Sequence, residues 1–175
     1  VNAKASDVNS GTVQRGSATC PCCGYTTPVA RVREQLRKRF GGANDAALIS
    51  IVTLDAKTTG RKYRLPRPAD YEACKRAEQR LKKLNSENHN GPSLVPTETL
   101  PLMSGVFNAP IYGHTTWGSL FTHRQALSLV VLTRLVRKVV ERATASSKSD
   151  IDIAAATVLA MAISKHADLA NALCA

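Results

Sequence analysis

The chain has 175 residues, which suits one domain or a small module with a helical part, and its hydrophobic content of 43% is enough for a core. Its net charge of +11 favours nucleic acid or another acidic surface as a partner. No signal peptide is visible, and the longest apolar run, Ile153 to Ile163, is too short to span a bilayer, so we predict a cytoplasmic protein with no membrane partner. The chain opens on Val1 without an initiator Met, and we expect it to be a piece of a longer protein.

Residues 1–19 predict a polar linker that leads into a first strand, and a cysteine cluster follows directly. Five cysteines, three of them within four residues, make a poor disulfide framework and a better metal or reduced-thiol pattern. Cys20 and Cys23 are the candidate metal ligands, because two thiolates three residues apart before a glycine make half of a tetrahedral zinc site. No second pair with this spacing exists in the sequence, so a half-site and a set of loose thiols are both open readings.

Residues 20–84 predict a zinc-ribbon-like, basic α+β module. Its first helix is predicted from Pro28 to Phe40, because proline favours the first turn and Gly41-Gly42 stops the helix. The apolar face of this helix is expected to comprise Val29, Val32, Leu36 and Phe40.

A hairpin and a second helix follow in the same module. Ala47 to Asp55 predicts one strand, Lys57 to Arg61 a turn, and Lys62 to Leu65 the returning strand. Pro68 to about Leu84 predicts a helix whose apolar residues recur at three and four residues, which places Cys74 on a buried stripe.

The basic residues concentrate in one part of the chain. Between Arg31 and Lys83 there are 15 Lys and Arg against 6 Asp and Glu, whereas the rest of the chain has 9 against 7. Such a run is either a solvated pair of helices or a phosphate-binding surface. Aromatic residues are sparse there, which favours contact with the backbone of duplex DNA over base stacking. The candidate DNA-binding residues are Arg31, Arg33, Arg37, Lys38, Arg39, Arg61, Lys62 and Arg64.

Residues 85–121 predict a long proline-containing loop and an aromatic anchor at Trp117, and residues 122–175 predict a C-terminal helix pair. Thr122 is a candidate N-cap for a helix from about His123 to Ala143. After a break at Ala145 to Lys148, the last helix is almost entirely apolar up to Ile163, so we expect it to be buried by neighbouring helices or by another copy.

Catalytic motifs are missing from the sequence. The sequence contains neither a glycine-rich cofactor loop nor an Asp/Asn-Pro-Pro-aromatic tetrapeptide of the kind that orients an amine for transfer chemistry. Asn108 to Tyr112 resembles the tetrapeptide only superficially, because it has one residue too many and no second proline. His114, His123 and His166 lack a carboxylate or a second ligand at a useful spacing, so we expect solvated or hydrogen-bonded histidines.

Several short motifs nevertheless resemble a bacterial and archaeal family, the adenine-specific DNA methylases that contain a zinc ribbon. The match covers most of the chain, from about Gly11 to the end, with departures at His114, Thr116 and Ser119. The motifs that carry it are Arg15 to Pro21, Cys23-Gly24, Tyr63-Arg64-Leu65-Pro66, Tyr112-Gly113, Trp117-Gly118, Leu120-Phe121-Thr122, Arg124-Gln125, and Ala167 to Asn171 with Cys174.

The resemblance implies that this chain is an insert between the two halves of an N6-adenine DNA methyltransferase. The S-adenosylmethionine loop and the remaining zinc cysteines are then expected before Val1, and the catalytic tetrapeptide after this segment. We therefore expect an α+β fold: a small antiparallel sheet with a zinc-ribbon-like knuckle, flanked by helices, and a C-terminal helix pair. The expected role is DNA contact without catalysis. The alternatives are a protein-interaction module that docks the methylase core, a companion subunit or a second copy, and an RNA-binding zinc ribbon.

Overall fold

The computed structural model describes residues 11–55, 58–88, 91–103, 107–145 and 150–173. The chain divides into two compact units, residues 1–41 with 100–115 and residues 42–99 with 116–175. Each unit has one small antiparallel sheet, and the described residues form four α-helices. The predicted α+β class is therefore confirmed, although two sheets stand where the sequence predicted one. The predicted linker lies outside the described residues except for Gly11 and the residues that follow it.

The first unit begins with a three-stranded sheet of β1 (Val13–Gln14), β2 (Ser17–Thr19) and β3 (Thr26–Thr27), in that order. Arg15 and Gly16 join β1 to β2 with φ angles of 49° and 85°. Two successive left-handed residues suit a tight hairpin turn, because that turn matches the twist of the strands. Since β2 and β3 flank the cysteine segment and pair with each other, the sheet fixes both ends of that segment.

The first helix, α1, spans Val29–Arg39, close to the predicted range. It contacts a short 3-10 helix, Ala109–Tyr112, and the following Gly113 lies so close that a Cβ there would be 2.6 Å from the Leu36 carbonyl oxygen. Phe40 corrects the prediction: it is the C-cap, with a left-handed φ of 50°, and its side chain is 66% exposed. The turn out of the helix carries Phe40 away from the apolar face that the periodicity assigned to it.

The second unit contains a two-stranded hairpin of β4 (Ile51–Asp55) and β5 (Thr58–Arg64), followed by α2 (Pro68–Ser86). The hairpin and the helix are confirmed. β5 begins before the predicted returning strand and runs through Gly60, which has a φ of 139°. Gly60 is thus part of the strand, and the residues that connect the strands, Ala56 and Lys57, lie outside the described residues.

An ion pair joins the end of this hairpin to the start of α2. The two guanidinium nitrogens of Arg64 donate to the two carboxylate oxygens of Asp70 at 2.6 and 2.9 Å. The backbone N–H of Arg67 also donates to Asp70, at 2.7 Å, so this carboxylate closes the first turn of α2. The Arg64 guanidinium, followed by the Arg67 N–H, holds the pKa of Asp70 well below its usual range.

Two long helices complete the second unit: α3 (His123–Ala145) and α4 (Asp150–Leu169). The predicted cap is confirmed, since the Thr122 hydroxyl accepts from the Gln125 N–H at 3.4 Å while the Gln125 side chain accepts from the Thr122 N–H at 2.9 Å. α3 contacts both α2 and α4. Most of the predicted break between the helices lies outside the described residues.

The long loop before α3 is held mainly by its backbone. The N–H groups of Trp117 and Gly118 donate to the carbonyl oxygens of Glu98 and Pro96 at 3.0 and 2.9 Å. A Cβ on Gly118 would lie 2.5 Å from the Pro96 oxygen, so only glycine allows this approach. Trp117 is 45% exposed, so it is a weaker anchor than predicted, and Leu120 is the buried apolar residue of this turn.

The buried hydrophobic residues are few, and none among the described residues is aromatic. Two further predictions fail here: Cys74 is only half-buried, and none of the described residues of α4 is buried. α4 contacts α3, and much of its apolar surface is exposed. No described helix combines the length and apolarity needed to cross a membrane. The eight buried hydrophobic residues among those described are Ala43, Ala77, Leu81, Leu84, Leu100, Ala109, Leu120 and Ala126.

We predict that Asp70→Asn lowers the melting temperature at pH 7, because it removes the charge that holds Arg64 and weakens the cap at Arg67. Since the folded-state pKa of Asp70 is depressed, its contribution to stability is complete above the unfolded-state pKa, near ~3.9, and is lost as the pH falls below it. Thermal unfolding from pH 7 to pH 3 should show the difference between variant and wild type shrinking below about pH 4.

Asp168→Asn is the matched control, because Asp168 is 74% exposed and pairs with Lys165 at 3.8 Å. Exposed pairs of this kind contribute little, so its melting temperature should follow the wild type at every pH. An Asp70 variant that also follows the wild type would show that the ion pair does not stabilise the hairpin on α2.

Candidate functional site

The cysteine segment forms a tight turn between β2 and β3. The Cys20 N–H donates to the Tyr25 carbonyl oxygen, and the Gly24 N–H donates to the Cys20 carbonyl oxygen, both at 2.9 Å. Gly24 has a φ of 72°, the left-handed conformation that favours glycine. The turn therefore brings the chain back on itself within five residues, with Cys20 at one end and Cys23 next to the glycine.

The Cys20 sulfur accepts hydrogen bonds inside this turn. The backbone N–H of Cys23, then that of Cys22, and then the Cys23 side chain lower the pKa of the Cys20 thiol from its ordinary value. Hydrogen bonds to a sulfur favour its charged form, and the thiolate is the species that binds metals. The turn thus increases the thiolate fraction of Cys20.

The described residues supply only part of a metal site. None of them forms a group of three or more His, Cys, Asp or Glu side chains arranged to hold a metal ion. Cys74 belongs to the second unit, and Cys174 lies outside the described residues. Cys20 and Cys23 therefore suit a half-site for zinc, and a complete tetrahedral site needs ligands from elsewhere.

We predict that iodoacetamide alkylates Cys20 faster than Cys74 at pH 7, because the hydrogen bonds from Cys22 and Cys23 increase the thiolate fraction of Cys20. The midpoint of the rate against pH should lie below ~8.5 for Cys20. Peptide mass spectrometry after timed quenching measures both cysteines in one sample. A midpoint for Cys20 at or above ~8.5 would contradict the role of the turn.

Two of the predicted DNA-binding cations in α1 share one carboxylate. Glu34 accepts from Lys38 at 2.8 Å and from Arg31 at 3.0 Å. The pairing with Lys38, and then with Arg31, lowers the pKa of Glu34. The two cationic side chains are 75% and 71% exposed, so both also face solvent. A phosphate would compete with Glu34 for them.

Arg33 has a different environment from the other cations of α1. Its guanidinium lies 5.5 Å from the centre of the Tyr112 ring, a cation–π distance, and the residue is half-buried. Its Nε is buried and has no hydrogen-bond partner. Arg33 therefore packs the Ala109–Tyr112 helix against α1, and this packing role makes it less suited to bind phosphate than the exposed cations of α1.

The C-terminal end of α1 presents a continuous cationic and aromatic surface. Arg37, Lys38 and Arg39 are exposed in its last turn, and the exposed Phe40 follows them. Cations at a helix C-terminus are favoured by the helix dipole. This end of α1, residues 37–40, is the densest exposed set among the predicted residues.

The hairpin separates the remaining predicted residues. Arg61 and Tyr63 are two residues apart in β5, so their side chains lie on the same face of the hairpin. Their partners on β4, Leu54 and Val52, are exposed apolar residues. Lys62 and Arg64 lie on the opposite face. Arg64 is committed to its ion pair with Asp70, which makes it a structural residue.

The predicted DNA-binding set is thus divided between the units. Five of its members lie in the first unit and three in the second. Exposed aromatic side chains accompany both groups, although aromatic residues are few in the basic segment and Tyr25 precedes it. They are Tyr25, Phe40, Tyr63 and Tyr71, which are 66%, 66%, 68% and 52% exposed.

The histidines contribute to a cavity that the sequence did not indicate. His123 and His166 line it together with Cys74 and Arg124, within the second unit, and its volume is about 570 Å³. The backbone N–H of His123 donates to Asn44 at 2.9 Å. Cys74, His123 and His166 come from three different helices, so no sequence spacing relates them.

No protein-family model, curated protein or solved structure matches this chain. The case for its function therefore depends on the cysteine turn, the basic surface and the motifs in the sequence.

Proposed function

We propose that this chain is the zinc-ribbon segment of an adenine-specific, N6-type DNA methyltransferase, and that it contacts the DNA backbone without catalytic groups of its own. The observation that carries the proposal is the tight turn closed by the hydrogen bonds from the Cys20 N–H to the Tyr25 carbonyl oxygen and from the Gly24 N–H to the Cys20 carbonyl oxygen, which places Cys20 and Cys23 in one turn. This arrangement suits a zinc knuckle, and the methylase motifs quoted above surround it in the sequence.

In this proposal Cys20 and Cys23 each contribute one thiolate to zinc. Zinc would cross-link the turn between β2 and β3 to a second pair of ligands from another part of the parent protein. Cys22 is exposed in the same turn and acts as a backbone donor to Cys20. S-adenosylmethionine belongs to the full-length parent alone.

The surface proposed for DNA is the C-terminal end of α1. Arg37 makes no ion pair with another described residue, and Lys38 can exchange Glu34 for a phosphate. Each such contact releases a condensed counterion, so the binding is sequence-independent and sensitive to salt. Arg61 in the second unit adds one more exposed cation.

We predict that the chain binds one zinc or cobalt ion weakly through Cys20 and Cys23. Cys20→Ser and Cys23→Ser should each abolish the thiolate-to-cobalt absorption band, because two sulfur ligands are the whole contribution of this chain. Cys22→Ser is the matched control and should keep the band. Tight stoichiometric zinc that survives a chelator would contradict the half-site, and a band that persists in the Cys20 variant would contradict the ligand assignment.

We predict modest binding of a fluorescein-labelled DNA duplex, measured by fluorescence anisotropy across a salt series. Replacing Arg37, Lys38 and Arg39 by alanine should weaken binding and reduce the slope of log K against log salt by about 2 to 3, since each lost phosphate contact removes ~0.9. The fold should survive, because all three side chains are exposed.

The matched control removes three exposed cations of α2, Lys75, Arg76 and Arg80, and leaves the same net charge. Equal losses in both triple variants would mean that charge alone acts, without a site at the end of α1. No binding by the wild type at low salt would contradict DNA contact, and a preference for duplex RNA of the same sequence would favour an RNA-binding ribbon.

A second candidate function is a protein-interaction module that docks the methylase core or a companion subunit. It is favoured by the exposed apolar residues of α3 and α4, which include Leu135, Val158 and Met161 at 53%, 64% and 66% exposure. In that case the DNA affinity is negligible and the α1 substitutions change nothing.

A further inference from the structure

The cavity beside the start of α3 is formed by four segments of the second unit. Its volume of about 570 Å³ lies within the range of small-molecule sites. One wall is the beginning of α3, and the others come from α2, from the C-terminal part of α4, and from the short 3-10 helix Gly42–Asp45 with the residues that follow it. A ligand in the cavity would therefore meet side chains from several directions.

Hydrogen bonds between these segments hold the walls in place. Asn44 joins the 3-10 helix to the first N–H of α3 at 2.9 Å. The Ala172 N–H donates to the Leu120 carbonyl oxygen at 2.8 Å, which holds the end of α4 beside the turn before α3. The Tyr71 hydroxyl donates to the Leu48 carbonyl oxygen at 3.3 Å, which ties the remaining wall to α2. The cavity is therefore preformed, and ligand binding requires little ordering of the chain.

The lining contains cationic and hydrogen-bond-donating side chains without partners in the chain. Arg124 and Ser128 lie four residues apart on α3, so they share one face of the helix, and His166 reaches the cavity from α4. The side chains of Arg124 and His166 make no hydrogen bond or ion pair with another described residue. The Gln125 amide oxygen accepts from the Thr122 N–H, whereas its amide nitrogen has no partner among the described residues. These donors are therefore available to a ligand.

The positive charge of the cavity comes from side chains and not from the end of the helix. The N–H groups of His123 and Gln125 already donate to the side chains of Asn44 and Thr122, at 2.9 and 3.4 Å. A guanidinium is always charged, and it presents its donors as a planar fork that fits the oxygens of a carboxylate or a phosphate. Arg124 is therefore the main group in the cavity for binding an anion.

No carboxylate opposes this charge in the lining. None of the described residues that line the cavity is Asp or Glu. Glu78 interacts electrostatically with His123, but it lines a separate pocket and accepts from Lys82 at 2.6 Å. A negatively charged ligand would therefore be attracted without competition from an acidic side chain of the lining.

The apolar part of the lining is small and aliphatic. It contains no Phe, Tyr or Trp among the described residues, so it offers no stacking partner of the kind that nucleobases favour. An aliphatic group fits such a surface better. The aliphatic residues are Ala43, Ala46, Ala47, Leu48 and Ala170.

We infer that this cavity is a binding site for a small organic anion with an aliphatic body. Arg124 and His166 hold its phosphate or carboxylate oxygens, and the alanines and Leu48 surround its apolar part. The site is separate from the cysteine turn and from the end of α1, so the inference does not depend on zinc or DNA binding.

Titration of n-butyl phosphate into the isotope-labelled chain at fixed ionic strength, followed by NMR, tests the inference. The binding should saturate, and the amide shifts should concentrate at residues 122–128 and 166–170, which line the cavity. Arg124→Gln should weaken binding at least about tenfold, because it removes a charge-assisted hydrogen bond. His166→Gln should weaken it about threefold or more, because it removes a second donor. Both side chains are exposed, so the circular dichroism of both variants should match the wild type.

Arg137→Gln is the matched control. It makes the same change of charge on the same helix, and Arg137 is exposed and does not line this cavity, so the affinity should equal that of the wild type. n-Butanol, which lacks the charge, should not shift these amides. Inorganic phosphate, which lacks the aliphatic body, should bind more weakly than butyl phosphate. Butyrate tests the second oxyanion, and the tighter of the two butyl ligands identifies the class that the cavity prefers.

Equal weakening in the Arg124 and Arg137 variants would overturn the site, because it would show only a general attraction to a basic protein. Absence of saturable binding by both butyl phosphate and butyrate would do the same. Inorganic phosphate that binds as tightly as butyl phosphate would overturn the aliphatic part of the inference. Displacement of butyl phosphate by a DNA duplex would assign the cavity to a nucleic-acid phosphate and overturn a free small molecule as its occupant.

Discussion

The side chain of Asn44 holds the start of α3, and the second unit depends on that start. Its amide donates to the Phe121 carbonyl oxygen at 3.3 Å and its oxygen accepts from the His123 N–H at 2.9 Å, across almost 80 residues of sequence. Since α3 contacts both α2 and α4, whatever orients α3 also orients the other two helices. Gly42 permits the approach, because a Cβ there would lie 2.6 Å from the Ser119 oxygen.

Such polar connections matter more here than in a chain with a larger core. The buried side chains are alanines and leucines, so shape alone specifies little about how the elements meet. Directional bonds supply that specificity at Asn44, at the Arg64–Asp70 pair and at the Thr122 cap. The Cys20 turn does the same for the first unit, where two short strands would otherwise have little to hold them together.

The sequence predicted the parts that depend on local chemistry. Proline before α1 and the Thr122 cap each act within a few residues, and each is found where it was expected. Burial was harder to predict. Phe40 matched the period of α1 but follows the end of the helix. α4 is apolar on most sides and contacts α3, yet none of its described residues is buried. The sequence predicted Arg64 as a phosphate ligand, but in the structure its guanidinium pairs with Asp70, six residues further along the chain.

The candidate site residues were chosen from the same local and compositional signals. Composition located the basic segment, but it could not show that Arg33 lies on Tyr112 or that Glu34 bridges two cations. Those contacts give the predicted cations different roles. Arg33 packs against Tyr112, Arg31 and Lys38 pair with Glu34, and the last turn of α1 presents its cations to solvent. The cavity beside His123 and His166 combines residues from three helices, and no local pattern contains that information.

The hydrogen bonds around Cys20 have a consequence for redox chemistry. The thiolate form of cysteine is also the nucleophile that attacks peroxides and disulfides, so hydrogen bonds that favour the thiolate of Cys20 also favour its oxidation. Cys22 and Cys23 are free, exposed thiols in the same turn, so a sulfenic acid formed at Cys20 would have thiols nearby with which to condense to a disulfide. A loss of free thiol during storage would then reflect sulfur chemistry in this turn and not unfolding of the chain.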